Sequence, residues 1–429
     1  VNPGFTRHEY ECISDAGAGR DYCLGGDLDL CSGVMSVKPE QELGRKGDMP
    51  DMPILVDIVL RADSEEKPGG DGAQVARYVE AWEDRADVCW IPYRPGLQFR
   101  DGAAVLVLNT ARPFDFIDAV RAARGHRTVS VPIHHRRALF RLMRRAESGR
   151  GVRTVADRLL PEPARELVAS LARNLRGVRR VQDLGNVLAA FARSLVVAPR
   201  LWARLGQCLD SCDGVVLLAP GEARDLIGDV HWSGRNGRLA PNGAPLNVAC
   251  SRAWSERTLD ILVAGRVEPR KRSLEIARCA HALNIAVDFI GPIVAEDSKF
   301  GREFAQLARD SEWVRHHGLL QHSRVIEAMG NAKVVLNGSW VECQSLVDIE
   351  AAFCGARVVS SRNGNSSDWI PDSIRVVDSE SVGDLLHAAV EEAGAVDAPL
   401  RPVYPWTWRN AADIVLEMLA GVHESAGPR

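Results

Sequence analysis

From Pro53 onward the chain alternates short apolar runs with amphipathic stretches, in two successive rounds. No other property narrows its fold so far. "PILVDIVLRA" reads as a strand. "KPGGDGAQVARYVEAWED" follows as a Gly-rich turn and a helix, with Val75, Tyr78, Val79 and Trp82 on its apolar side. "ADVCWIPY" and "AAVLVLNT" are further strands, "FDFIDAVRAARGH" a helix, and "RTVSVPIHH" a strand ending in two histidines. Residues 136–210 carry helical spacing without strand signals, and "DGVVLLAPGEARDLI" restarts the alternation. Turn formers crowd residues 237–258. The second round then runs through "LDILVAGRV", "KRSLEIARCAHALN", "IAVDFIGP", "SRVIEAMGNA", "KVVLNGSW" and "ARVVSS". Strand, loop and helix in this order predict a parallel sheet covered on both faces. Two such rounds predict two doubly wound α/β domains facing a cleft, with ligands at the carboxyl ends of the strands.

The predicted boundaries are 53–250 for the first domain, 251–403 for the second, 404–422 for a final helix and 423–429 for a tail. Residues 1–52 show no period and many Gly and Asp, as expected of a disordered tail or a misassigned start. A net charge of −4 gives no reason to expect nucleic acid as a partner. No uncharged apolar run reaches the length of roughly 18 residues that a membrane span needs. Ten cysteines are scattered without a CxxC pair or a completing His pattern, so we expect reduced thiols, a cytoplasmic location and no metal site.

Two motifs carry chemistry. In "SWVECQSLVDIEAAFCGARVV", residues 339–359, Glu342 lies just after an apolar strand and Glu350 inside an apolar helix expected over Gln344–Cys354. A carboxylate among "LVDIEAAFC" needs a partner, either a nearby Arg or a ligand's hydroxyl groups. The helix start, from about Cys343 through Gln344 and Ser345 to Leu346, offers unpaired N–H groups suited to a phosphate. In "LVAGRVEPRKR", residues 262–272, a buried strand ends at Gly265 and Arg266 and Lys271 follow. A guanidinium and an ammonium at a strand's carboxyl end would neutralise a diphosphate.

Together these motifs resemble the retaining GT-B glycosyltransferases of the group 1, E-x7-E type. The resemblance covers most of residues 53–422 and is strongest over 258–361. It implies that Arg266 and Lys271 hold the diphosphate of a nucleotide-sugar donor. Glu350 would bind the ribose hydroxyls, and Glu342 would lie at the donor sugar. "APNGAP" (240–245) resembles the sequence closing the first domain. "YPWTWRNAADIVLEMLAGV" resembles the final helix that crosses back to that domain. The loop after the first glutamate departs from the usual Glu-Gly-Phe-Gly and reads Glu342-Cys343-Gln344-Ser345. "NGNSSDW" offers Asp368 where the family often has an acidic residue.

In the first domain "KPGGDGAQ" resembles the family's Gly-rich loop, where Gly69, Gly70 and Gly72 permit close approach of the donor phosphate or acceptor. Of the strand-end histidines, His134 is expected to meet the donor sugar, rather than His135. Arg112 is a further candidate for the acceptor or a phosphate. Residues 136–204 hold sixteen arginines against five acidic residues, interleaved with apolar positions. That pattern fits either a solvated helical face or peripheral contact with anionic lipid.

The resemblance implies transfer of a sugar to the hydroxyl of a glycan, glycolipid or other acceptor, with retention and without a cofactor or metal. Competing expectations are a catalytically silent nucleotide-sugar or glycan-binding protein, a nucleotide-sugar epimerase, or a scaffold component of a membrane assembly. A phosphorylase would need a pyridoxal Lys, and only six lysines are present.

Overall fold

The structure, a computed structural model, describes residues 52–64, 70–147, 160–178, 180–244, 252–395, 404 and 406–422. The expectations for residues 1–51, Gly69 and the tail 423–429 lie outside the described residues.

The first round of alternation forms a six-stranded sheet in the order β2-β1-β3-β4-β5-β6. Its strands are β1 (Ile54–Leu60), β2 (Ala86–Pro92), β3 (Ala104–Leu108), β4 (Thr128–Val131), β5 (Gly214–Leu217) and β6 (Gly237–Leu239). Every pairing is parallel. Its helices are α1 (Gly70–Trp82), α2 (Pro113–Ala122), α3 (Arg137–Glu147), α4 (Glu162–Arg176), α5 (Val181–Val197), α6 (Leu201–Asp210) and α7 (Pro220–Val230). The second sheet has the order β12-β11-β10-β7-β8-β9 and is also wholly parallel. It contains β7 (Leu259–Ala264), β8 (Val287–Ile290), β9 (Val314–His316), β10 (Ala332–Asn337), β11 (Arg357–Ser361) and β12 (Ile374–Val377). Around it lie α8 (Ser273–Leu283), α9 (Lys299–Asp310), α10 (His322–Asn331), α11 (Leu346–Phe353) and α12 (Val382–Ala393). The strand order reverses between β1 and β3 in one sheet and between β7 and β10 in the other. These are the switch points at which doubly wound sheets open a crevice.

The last helix, α13 (Trp408–Ala420), belongs to the first domain's core. Its Ala411, Ala412, Val415 and Leu416 are fully buried with Val56, Ile58 and Trp82. The Trp82 indole N–H donates to the Ala412 carbonyl at 2.8 Å. The chain therefore passes between domains twice. The passages run side by side, the Ala244 N–H donating to the Trp406 carbonyl at 3.1 Å. Gly243 is obligatory there, since an added Cβ would stand 2.0 Å from the Trp408 nitrogen.

The expected helical section contains α3 to α6. Helices α4 and α5 sit outside the layered core, burying only Leu167 and Ser170, and Val187 and Ala190, respectively. Polar ties hold them to α2: Ser170 Oγ donates to Asp115 at 2.6 Å, and Arg193 pairs with Asp118 at 2.7 Å.

Candidate functional site at the second switch point

β7 ends in a pinched turn. Gly265 has φ +123° and Gly291, at the end of β8, φ +137°. A Cβ on Gly291 would fall 2.0 Å from the Gly265 carbonyl oxygen, so only glycine lets these two strand ends approach. The loop after Gly265 carries Arg266, Glu268, Arg270 and Lys271. Glu268 accepts from Arg266 at 3.3 Å and from Arg270 at 3.1 Å.

Opposite, the loop between β10 and α11 presents Glu342. Lys271 Nζ lies 2.5 Å from Glu342 Oε1, Arg270 Nη1 lies 2.8 Å from Oε2, and Ser339 Oγ donates to Oε1 at 2.9 Å. Burial alone would raise this carboxyl. The Arg270 guanidinium and the Lys271 ammonium outweigh that and hold it far below the usual carboxylate range. The backbone is fixed as well. Glu342 N–H donates to the Asn363 carbonyl at 3.0 Å, and Asn365 donates to the Glu342 carbonyl at 2.8 Å. Trp340 N–H donates to the Arg270 carbonyl, and the Arg272 guanidinium covers the Trp340 ring at 4.3 Å, so the two loops form one unit. Three cations, Arg266, Arg270 and Lys271, face Glu268 and Glu342, with the buried carboxyl of Asp348 close enough to feel Lys271.

Helix α11 begins later than Gln344. Ser345 is its N-cap, its hydroxyl accepting from the Asp348 N–H at 3.3 Å. The first-turn N–H groups of Leu346 and Val347 have no intrahelical acceptor. The deeply buried carboxylate of this helix is Asp348 rather than Glu350. Asp348 is fully buried and accepts from Asn337 and Ser345 at 2.9 Å and from Ser360 at 3.2 Å. Burial pushes its carboxyl up to about 6. Glu350 is half-buried, and its partner is His322 at 2.9 Å, not an arginine. Helical period explains the difference. Asp348, Ile349, Ala351 and Ala352 form the stripe facing the sheet, and Glu350 turns away from it.

The first domain adds His135. His134, the histidine expected at the donor sugar, is tied inside its own domain. Its Nδ1 lies 3.3 Å from Thr110 Oγ1, its Nε2 3.0 Å from Asp229, and its backbone N–H donates to Glu222 at 2.7 Å. His135 instead points across the cleft, with Nδ1 3.2 Å from Cys343 Sγ. Burial, reinforced by Arg270, drives its imidazole down to about 3, so it is neutral at physiological pH. Cys343 Sγ also donates to the His134 carbonyl at 2.8 Å. Gln344 Oε1 accepts the Asn242 N–H at 2.7 Å, and its amide donates to the Tyr404 hydroxyl at 3.0 Å. Cys343 and Gln344, in the loop that departs from the resemblance, thus join the second domain to the first domain and to both interdomain passages.

The remaining candidates lie apart from this cluster. Arg112 pairs with Asp63 at 2.6 Å, and Asp368 with Arg224 at 3.8 Å. Gly70 opens α1, and among the described residues no heavy atom lies within 4 Å of an added Cβ there. Beside His135 a recess is lined by Thr110, His134, Arg137, Glu162 and Trp202. The Arg137 guanidinium stacks 3.7 Å above the Trp202 ring.

No family model matches the chain. A human protein, the A component of phosphatidylinositol N-acetylglucosaminyltransferase, is 32% identical over 111 residues, 23% of this chain and 22% of that protein. The match thus spans about a fifth of that relative's length. Among solved structures, sucrose-phosphate synthase from Thermosynechococcus elongatus superposes with a TM-score of 0.55 at 13% identity, covering 86% of this chain and 99% of that one. Anabaena HepE, solved in complex with UDP and glucose, superposes with a TM-score of 0.50 at 12% identity, covering 84% and 94%. At these identities the likeness is one of fold, and the fold is GT-B: two Rossmann-like domains facing a cleft.

Proposed function

We propose that this GT-B chain is a glycosyltransferase that moves a sugar from a nucleotide diphosphate sugar to an acceptor hydroxyl with retention of anomeric configuration. The observation that carries the reading is the pair Arg270 and Lys271 on Glu342 at the second switch point, with Arg266 joined to Arg270 through Glu268. Its guanidinium and ammonium donors suit a diphosphate, and the start of α11 offers further N–H donors. Glu350, half-buried on α11, would accept ribose hydroxyls. As the bond to the sugar breaks, negative charge grows on the leaving diphosphate. The fixed cations stabilise that charge without a metal or cofactor. Glu342 holds Lys271 and Arg270 in place for that task. Neutral His135 would serve as a hydrogen-bonding group at the sugar. The leaving phosphate oxygen would take the acceptor's proton on the same face.

The acceptor hydroxyl belongs to a glycan or glycolipid, and α4 and α5 are the candidate peripheral membrane contact. We assign the protein to the cytoplasm, where free thiols such as buried Cys343 persist. One observation favours a second reading, a silent nucleotide-sugar or glycan-binding protein. Cys343, where the resembled family keeps a glycine, and Gln344 beside it are committed to contacts across the cleft.

A thermal-shift screen with UDP, GDP and their sugars, followed by product release from the donor that binds, separates these readings. Stabilisation with release of nucleoside diphosphate is the expected result. Stabilisation without release identifies a binding protein. No response to any nucleoside diphosphate refutes both.

A further inference from the structure

Helix α5 carries an unusual outer face. Its exposed positions are Val181, Gln182, Leu184, Gly185, Asn186, Leu188, Ala189, Ala192, Leu195 and Val196, and none is charged. Val181 is 88% exposed and Val196 81%, with Leu188 at 54%. On α4, which packs against it, Val168, Ala172 and Leu175 are exposed at the spacing of a single helix stripe. Exposed arginines bound this apolar area in sequence: Arg176 and Arg180 before α5, Arg200 and Arg204 after it. Solvent-facing helices of soluble domains place charge where these helices place leucine, valine and alanine.

A 3-10 turn at residues 198–200 joins α5 to α6, and the combined run Val181–Asp210 has, by length and composition alone, what a membrane crossing needs. Its last third cannot leave the protein. Leu201, Leu205 and Leu209 are buried, and Gly206 packs so tightly that an added Cβ would lie 2.0 Å from the Val230 carbonyl oxygen. A helix anchored at one end in a soluble core, with an uncharged flank and cationic margins, lies along an interface.

We propose that the α4–α5 face docks on a bilayer containing anionic lipid, and that the acceptor is carried on a lipid in that bilayer. The second clause rests on the glycosyltransfer reading. Charge decides the occupant. Arginine margins complement anionic headgroups, with their stems running over the apolar edge. A second copy would bring the same cations face to face, which opposes a symmetric dimer through this surface. The helices that carry the apolar face also supply Glu162 and, through the continuation into α6, Trp202 to the recess beside His135. A lipid-anchored headgroup entering that recess can leave its chains in the bilayer.

The test uses the full chain and sedimentation with vesicles of phosphatidylcholine alone or mixed with phosphatidylglycerol. The wild type should bind the anionic vesicles at least about tenfold more strongly, and high salt should weaken that binding. The combined substitution Leu184→Gln, Leu188→Gln and Leu195→Gln touches only exposed positions. It should cut vesicle binding at least about tenfold while leaving the thermal shift with nucleoside diphosphate unchanged. Equal binding of wild type and variant to anionic vesicles overturns the proposal. So does an absence of wild-type binding, or a concentration-dependent dimer that the variant abolishes in its place. Vesicle binding by a protein with no nucleotide response keeps the docking surface and removes the transfer reading. Nucleotide response without vesicle binding does the reverse.

Discussion

Replacing Lys271 with Ala separates the site from the fold. Lys271 Nζ sits 2.5 Å from Glu342 Oε1, and the Lys271 side chain keeps 15% of its surface exposed. Without it Glu342 retains Arg270 at 2.8 Å and Ser339 at 2.9 Å, so the carboxylate stays paired. The stability cost, discounted for partial exposure, is therefore about 1 kcal/mol. In a domain of this size that lowers the melting temperature by about 2–4 °C. The loss at a bound diphosphate is larger, because a hydrogen bond to a charged group contributes about 1.5–3 kcal/mol. That corresponds to binding weakened roughly 10- to 150-fold. Isothermal titration of wild type and Lys271→Ala should use the nucleoside diphosphate that binds best, together with its parent nucleoside. The nucleoside lacks phosphates, so its affinity should not change. An unchanged diphosphate affinity in Lys271→Ala would refute the assignment of this loop to the donor phosphates.

Glu342→Gln should destabilise the fold at neutral pH, and the difference should shrink in acid. The folded carboxyl is depressed, so its stabilisation is present above the ordinary value of 4.5 and is lost as pH falls below it. A difference between variant and wild type that stays constant down to about pH 3.5 would contradict the ion-pair geometry. Asp348→Asn should behave oppositely. Burial raises Asp348 from 3.8 to about 6, so the wild type loses stability relative to the variant as pH rises through that window and is level above it. Denaturant unfolding at several pH values measures both. Gln344→Ala should speed hydrogen exchange at the Asn242 amide, whose acceptor it removes, while the β10 amides keep their protection. Trp82→Ala should cost about 3–5 kcal/mol by emptying the contact between α1 and α13, read by chemical denaturation.

The alternation that predicts two doubly wound domains corresponds to strands with strong, continuous burial, such as Val56–Leu60 and Val334–Leu336. The strands that pattern alone passes over are β6, β9 and β12. Each holds three or four residues at or near a sheet edge, too few to display a period. In the site, Arg266, Lys271 and Glu342 were legible because strand ends mark them. Arg270 stands next to Lys271 in "EPRKR", and nothing local tells that both neighbouring cations turn toward Glu342. Asp348 could have been found by extending the helical stripe through Ile349, Ala351 and Ala352. The choice between His134 and His135 was beyond local reasoning. It depends on Asp229 and Glu222, 95 and 88 residues away, which capture one histidine and leave the other to the cleft.

The place of α13 reverses the order in which this molecule can be made. A ribosome releases the chain from its first residue, yet Val56, Ile58 and Trp82 wait for Ala411 to Leu419 before their layer closes. The middle of the chain, 252–395, can complete its own layers sooner. Until α13 emerges, that face of the first sheet carries α1, but the strip that Ala411 to Leu419 will occupy stays open. A truncated gene ending near residue 400 would leave it so permanently.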